Sequence, residues 1–217
     1  KMREPIQIGA ELYGHAGLEA DVEVVRLMIE ALQRAGIERL HVDLGNPAIY
    51  RSMVAGLDAD NAEELFHAVQ QKDATRAGRL AVLTTLNGGA EVLERARREL
   101  PAQAQPALQA LETLAQKCAT PGVEISFDLA ELGGFNYESG VVFAAFAPAS
   151  PDALARGGRY DEVGRSFGRA RPATGFTMDL RRIAALVGPT ERARAILAPC
   201  VADPALDEEV ARLRAAG

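Results

Sequence analysis

Cysteine is scarce in this chain. Cys118 and Cys200 are the two in 217 residues, and neither has a Cys or His neighbour at ligand spacing. A disulfide framework and a zinc site are therefore not expected, and the usage fits a reducing cytoplasm. Long apolar runs are missing too. None approaches the ~20 residues of a membrane span, and the first residues carry no secretory signal pattern. Lysine is confined to Lys1, Lys72 and Lys117, and the formal net charge is −6. Proteins that live on phosphate-backbone contacts are usually basic, so neither nucleic acid nor membrane is an expected partner. There is no Walker loop and no nucleophile elbow. His15, His41 and His67 lack metal-ligand spacing and read as structural or exposed residues, with His15 close to the candidate pocket below. No metal and no cofactor are expected.

What is there reads as an ordinary globular domain, 48% hydrophobic. Ile6–Tyr13 predicts a buried strand. Val24, Leu27, Met28, Ala31 and Leu32 recur at helical spacing within a helix from Leu18 to Ala35, which Gly36 stops. Arg39–Leu44 alternates as a strand. Pro47 to Cys118 is almost wholly helical in pattern, with helices at Ile49–Leu57, Ala62–Gln71, Ala74–Leu86, Ala90–Leu100 and Gln105–Cys118. Asp60 with Glu63 suggests a capping box. Strands resume at Val123–Asp128 and Val141–Ala147, and a strand–turn–helix unit spans Gly157–Leu186. The tail predicts a strand at Ala195–Pro199 and a helix at Pro204–Ala215. Half of a βα repeat at one end and an abrupt strand at the other suggest a piece of a longer protein.

Three stretches carry chemistry. Arg156 to Arg182 reads RGGRYDEVGRSFGRARPATGFTMDLRR. Its glycines allow close backbone approach, and Arg159, Arg165, Arg169, Arg171 and Arg182 offer planar donors for carboxylate or phosphate. Taken alone, it reads more readily as a Gly-rich turn with solvated arginines. On the first strand, Gln7 and Glu11 share a face. Buried carboxylates are rare unless paired, which marks Glu11 as a binding candidate. The third stretch, Leu132–Phe146, reads LGGFNYESGVVFAAF.

In this order the stretches resemble class II aminoacyl-tRNA synthetases of the histidyl type. GGRYDEV, GRARPATGF and the paired arginines resemble the third signature motif. The resemblance implies that Arg182, opening the helix after the Gly-Phe strand, and Arg159 are phosphate contacts of a vestigial nucleotide pocket. Gln7, Gly9 and Glu11 match a Gln-x-Gly-x-Glu strand that contacts histidine. Gly134, Tyr137, Gly140, Val142 and Phe143 match an Arg-Gly-Leu-Asp-Tyr-Tyr-Thr-Gly element and the strand after it. Here the chain departs. The catalytic arginine falls on Gly133, the Asp becomes Asn136, and the second Tyr, which lines the imidazole pocket, becomes Glu138. Losing a preorganised cation costs about 10²–10³ in rate, so no efficient adenylate formation is expected. Glu138 pairs with an imidazolium or faces solvent.

REPIQIGAELYGHAGLEAD, ISFDLAEL and ARGGRYDEVGRSFGRARPATGF look closer still to a non-charging branch of this family, the regulatory subunits of ATP phosphoribosyltransferase, although many of those keep an arginine at the position of Gly133. That likeness implies a non-catalytic subunit of L-histidine biosynthesis. Its partner would be the short-form catalytic subunit, its effector L-histidine, and it would form a self-dimer in the full-length protein. The expected histidine-like pocket is Gln7, Glu11, Tyr137 and Glu138. The alternatives are a histidyl-tRNA synthetase core and a stand-alone histidine-binding or histidine-activating paralogue. The expected fold is α+β: a mixed, mostly antiparallel sheet flanked by helices, with a helical insertion at about 47–118. Residues 1–190 would form the core, and 191–217 would start a C-terminal α/β segment.

Overall fold

The computed structural model describes residues 6–132, 138–188 and 196–216. Strand β1 (Gln7–Tyr13) leads to helix α1 (Leu18–Arg34) and strand β2 (Leu40–Gly45). Helices α2 (Pro47–Val54), α3 (Ala59–Gln70) and α4 (Ala74–Ala77) follow, then a 3-10 helix at Gly78–Thr85. The short strand β3 (Asn87–Gly88) precedes α5 (Glu91–Glu99) and α6 (Gln105–Cys118). Strands β4 (Val123–Asp128), β5 (Val142–Phe146), β6 (Ala155–Arg159) and β7 (Ala173–Asp179) end in α7 (Leu180–Val187). Contacts divide the chain into residues 1–187 and 188–217, the second carrying helix α8 (Pro204–Ala216). Among the described residues no helix is long and apolar enough to cross a membrane.

The strands form one seven-stranded sheet in the order β1-β7-β6-β5-β2-β4-β3. Only β2 and β4 pair in parallel; the other pairs are antiparallel. Strand residues alternate between faces, so the register sorts the sheet into two surfaces. One carries Met178, Phe176, Ala155, Phe143, Ala145, Val42 and Leu44, all buried. Helices α1 and α6 lie on it. Helix α1 contributes Val24, Val25, Met28, Ile29 and Leu32, and α6 contributes Leu108, Leu111 and Leu114. Burial of such side chains is worth about 1.5–3 kcal/mol each. The opposite surface carries Gln7, Gly9, Glu11, Gly175, Thr177, Arg156, Gly158, Asp43 and Ser126.

Several expectations change. β1 lies at the sheet edge and is not buried: Ile8 is 51% exposed and Tyr13 59%. Apolar content alone does not separate an edge strand from a central one. In α1, Leu27 falls outside the buried stripe at 46% exposed. The expected helix Ala74–Leu86 is an α-helical turn followed by a 3-10 helix. Its buried apolar residues Ala77, Leu80, Leu83 and Leu86 recur every third position, which is the 3-10 repeat and not the α repeat. The block between β2 and β4 is not wholly helical either, because β3 pairs with Phe127 and Asp128. The cap of α3 is Asp58, not Asp60; its carboxylate accepts from the Asn61 amide at 3.0 Å. Residues 196–203 form no strand, although the helix after them is present.

Candidate functional site

The polar surface of the sheet carries the candidate site. β1 and β7 pair so that Glu11 stands opposite Gly175 and Gln7 opposite Asp179, while Gly175 in turn stands opposite Gly158 of β6. A side chain at Gly175 would collide with the Glu11 carboxylate, so that carboxylate lies over the bare glycine backbone. The Tyr160 hydroxyl donates to Glu11, and partial burial raises the pKa of this carboxyl. The neighbouring glycine carries a second carboxylate. A Cβ at Gly158 would stand 2.8 Å from Glu138 Oε1.

Glu138 is 8% exposed, so it does not face solvent. Burial pushes its carboxyl up to about 8; the nearby Glu131 adds to this and Arg51 opposes it. The Arg51 guanidinium donates to the Glu138 backbone carbonyl. Glu138 Oε2 has no hydrogen-bond partner among the described residues.

Gln7 falls four residues before Glu11 on the same face, with Gly9 between them, beside a separate cleft of about 190 Å³ lined also by Asp152, Arg156, Thr177, Asp179 and Arg182. Asp179 caps α7, accepting from the Arg181 and Arg182 amides at 3.0 and 3.1 Å. Arg182 Nε donates to Asp179 at 2.9 Å, and its Nη1 pairs with Asp152. These two carboxylates, Asp152 foremost, raise the Arg182 pKa. The cation expected to meet phosphate is thus already neutralised internally.

Arg159 is not part of this surface. It projects from the opposite face, 6% exposed, toward α1. Its Nε and Nη2 meet Asp21 at 2.9–3.1 Å, Nη2 also meets the Gly17 carbonyl at 3.0 Å, and Nη1 reaches Asp161 at 3.1 Å and the His15 carbonyl at 3.3 Å. All five guanidinium N–H groups are committed, which leaves none for a phosphate. Burial works against the Asp21 carboxylate and raises its pKa, and Arg159 pulls the other way. Tyr137, with Gly133, Gly134 and Asn136, lies outside the described residues.

The sequence profile of the histidyl-tRNA synthetases matches residues 1–183. The chain belongs to the histidyl-tRNA synthetase family. Among curated relatives it is 49% identical over 99% of its length to the ATP phosphoribosyltransferase regulatory subunit of Cupriavidus taiwanensis, and 48% identical over the same share to that of Cupriavidus necator. The chain spans 60% of the length of each. A solved structure from Bacillus halodurans, titled as an ATP phosphoribosyltransferase regulatory subunit/histidyl-tRNA synthetase, aligns at a TM-score of 0.75 and 28% identity. That alignment covers 85% of this chain and 54% of the other.

As in this family, the sheet is mixed and mostly antiparallel with helices packed on it. Two residues, one in the site and one behind it, escape the motif reading. Tyr160 sits inside the Gly-Gly-Arg-Tyr-Asp turn, where Arg159 draws attention first. Asp21 is a carboxylate in the apolar stripe of α1, three, four and seven residues before Val24, Val25 and Met28, and that misplaced charge is the signal for a buried partner.

Other clusters have structural explanations. His41 Nε2 lies 2.8 Å from Asp43 and 2.8 Å from Ser126, whose hydroxyl also donates to Asp43. A proton relay needs an acid hydrogen-bonded to the ring nitrogen opposite the hydroxyl; here Asp43 shares the hydroxyl's nitrogen, and the exposed Glu124 stays 3.7 Å from the other, beyond hydrogen-bond distance. The His15 and His67 rings meet Glu19 and Glu63 one helical turn away. Burial holds the Cys118 thiol up at about 11, which keeps it unreactive. Among the described residues no cluster of three His, Cys, Asp or Glu side chains could hold a metal.

Proposed function

We propose that this chain is the synthetase-like part of a regulatory subunit of ATP phosphoribosyltransferase, acting in the first step of L-histidine biosynthesis. It performs no aminoacylation. It joins the short-form catalytic subunit, is required for that subunit's activity, and passes on inhibition by L-histidine. It acts in the cytoplasm, and the full-length protein is a self-dimer. The observation that carries the reading is 49% identity, over 99% of the chain, to a protein named as that regulatory subunit.

The geometry agrees with a sensing site more than an activating one. The nucleotide side is neutralised by Asp152 and Asp179, whereas the amino-acid side presents Glu11 and Glu138 over bare glycines. L-Histidine is the effector proposed for that side, with Gln7 and Tyr137 as further contacts. Feedback then requires histidine to favour one state of the complex over another.

The test mixes the full-length protein with a short-form catalytic subunit and follows phosphoribosyl-ATP formation with and without histidine. Activity should depend on the added protein and fall with histidine, and Glu11→Gln should weaken that fall. Two folded proteins that give no activity together would remove the regulatory reading. Unchanged feedback in Glu11→Gln would remove this pocket from the mechanism.

A further inference from the structure

Strand β4 is covered along only part of its outer edge. The Gly122 carbonyl accepts from Leu40 of β2 at 2.9 Å, and in this parallel ladder the backbone groups of Glu124 and Ser126 turn the same way. The N–H and C=O of Ile125 therefore point outward, as do those of Phe127. Strand β3 pairs with Phe127 and stops there. Ala90, which would come opposite Ile125, is already helical at φ −62° and ψ −25°. The Glu91 carboxylate holds that turn, accepting from the Gly89 amide at 2.9 Å. Among the described residues nothing pairs with Ile125 on its outer side.

The line that β3 vacates opens on a cleft of about 390 Å³, lined by Leu93, Arg97, Ala115, Ala119, Val123 and Phe127 with Ile125. Residues paired across neighbouring strands share a face. A residue opposite Ile125 would thus send its side chain into this cleft, where the alanines leave room for an apolar group. Arg97 is paired with Glu112 at 2.7 Å, so the two bring no net charge. Glu94 lines the cleft as well, exposed and without an ion-pair partner among the described residues. The next residue of an added strand would turn to the other face, beside Glu124, whose side chain is 81% exposed. Open backbone, an apolar cleft and unneutralised acids thus meet at one point of the edge.

We propose that the open edge of β4 is a docking site for an extended peptide segment of a protein partner, one that alternates basic and apolar residues. The apolar residue opposite Ile125 exchanges both N–H···O bonds with it and fills the cleft, while a basic residue beside it lies across from Glu124. The backbone bonds supply affinity, and the cleft and Glu124 supply selectivity. The site lies toward the opposite end of the sheet from β1 and does not depend on the function proposed above.

Fluorescence anisotropy of the full-length protein with a labelled Lys-Val-Lys-Val-Lys peptide tests it, with thermal melting as the check on folding. This peptide should bind, and Glu-Val-Glu-Val-Glu and Lys-Ser-Lys-Ser-Lys should not. N-methylation of both valines keeps charge and bulk but removes the donors to the edge, and should weaken binding about tenfold or more. Ala115→Phe, which fills the cleft, should act in the same direction. Glu124→Lys should turn the preference toward Glu-Val-Glu-Val-Glu. If Ala115→Phe fails to fold, the N-methylated peptide still decides, because it leaves the protein untouched. Binding indifferent to N-methylation would be charge attraction alone and would overturn the proposal, as would a folded wild type that binds no peptide. Ile125→Pro removes an outward N–H that an edge strand can spare. If that change splits an oligomer of the wild type, the edge belongs to a second copy of the chain and the peptide partner is overturned.

Discussion

Two buried acids set the residue scale, and they make opposite demands. Asp21 has a fixed partner in Arg159, at 2.9 Å with both side chains almost fully buried. Removing one member of such a pair strands the other charge, so Asp21→Ala should cost about 3–5 kcal/mol. Urea unfolding would measure it. Replacing both residues by apolar ones should recover much of the loss, and an unaltered midpoint in the single variant would contradict the pairing.

Glu138 has no such partner, and its pKa stands near 8 against an ordinary value of 4.5. The folded state therefore holds a proton that the unfolded chain releases earlier. Its contribution to stability is full below about pH 4.5 and declines as pH rises through 8, by at most about 1.4 kcal/mol per pH unit. Glu138→Gln should flatten that part of the profile. If unfolding curves from pH 5 to 8 keep the same slope in the variant, the carboxyl is not the source.

At the scale of elements, local pattern and long-range partnership were unequally legible. Helix α6 and strand β4 occupy the bounds expected, Gln105–Cys118 and Val123–Asp128, because each carries a clean apolar period between turn residues. The polar face of β1 was legible as well, since alternation alone puts Gln7 and Glu11 on one side. The 3-10 segment was visible in principle, through the spacing of Ala77, Leu80, Leu83 and Leu86, but three- and four-residue periods are easily confused over one short stretch. What local pattern could not supply was pairing at a distance. Asp21 and Arg159 are joined across the fold, and Glu138 packs against Gly158 of β6, which its own neighbourhood does not announce.

Two variants check the elements themselves. Leu80→Ala should cost about 2–5 kcal/mol, because the 3-10 helix buries this side chain completely enough to leave a cavity. Asp58→Ala should lower the melting temperature, while Asp60→Ala should leave it nearly unchanged. Equal costs at 58 and 60 in thermal melts would return the cap to the position read from sequence.

For the whole molecule, the contact boundary falls between Val187 and Gly188. Residues 196–203 are irregular, and Ile196 and Leu197 are 76% and 93% exposed. Limited proteolysis should therefore cut in this stretch first and leave the seven-stranded unit intact, with its melting transition little changed. Loss of that transition on cleavage would mean that the two units depend on each other.

The division of the sheet into an apolar and a polar surface also bears on inheritance. Along β7, Thr174, Phe176 and Met178 face the helices, while Gly175, Thr177 and Asp179 face the site. Selection for folding and selection for the ligand thus act on alternate letters of one short word. A lineage can rewrite site-facing letters such as Thr177, exchanging one small molecule for another, as long as it keeps those that also serve the fold: Gly9 and Gly175, where a side chain would strike the neighbouring backbone, and Asp179, which caps α7.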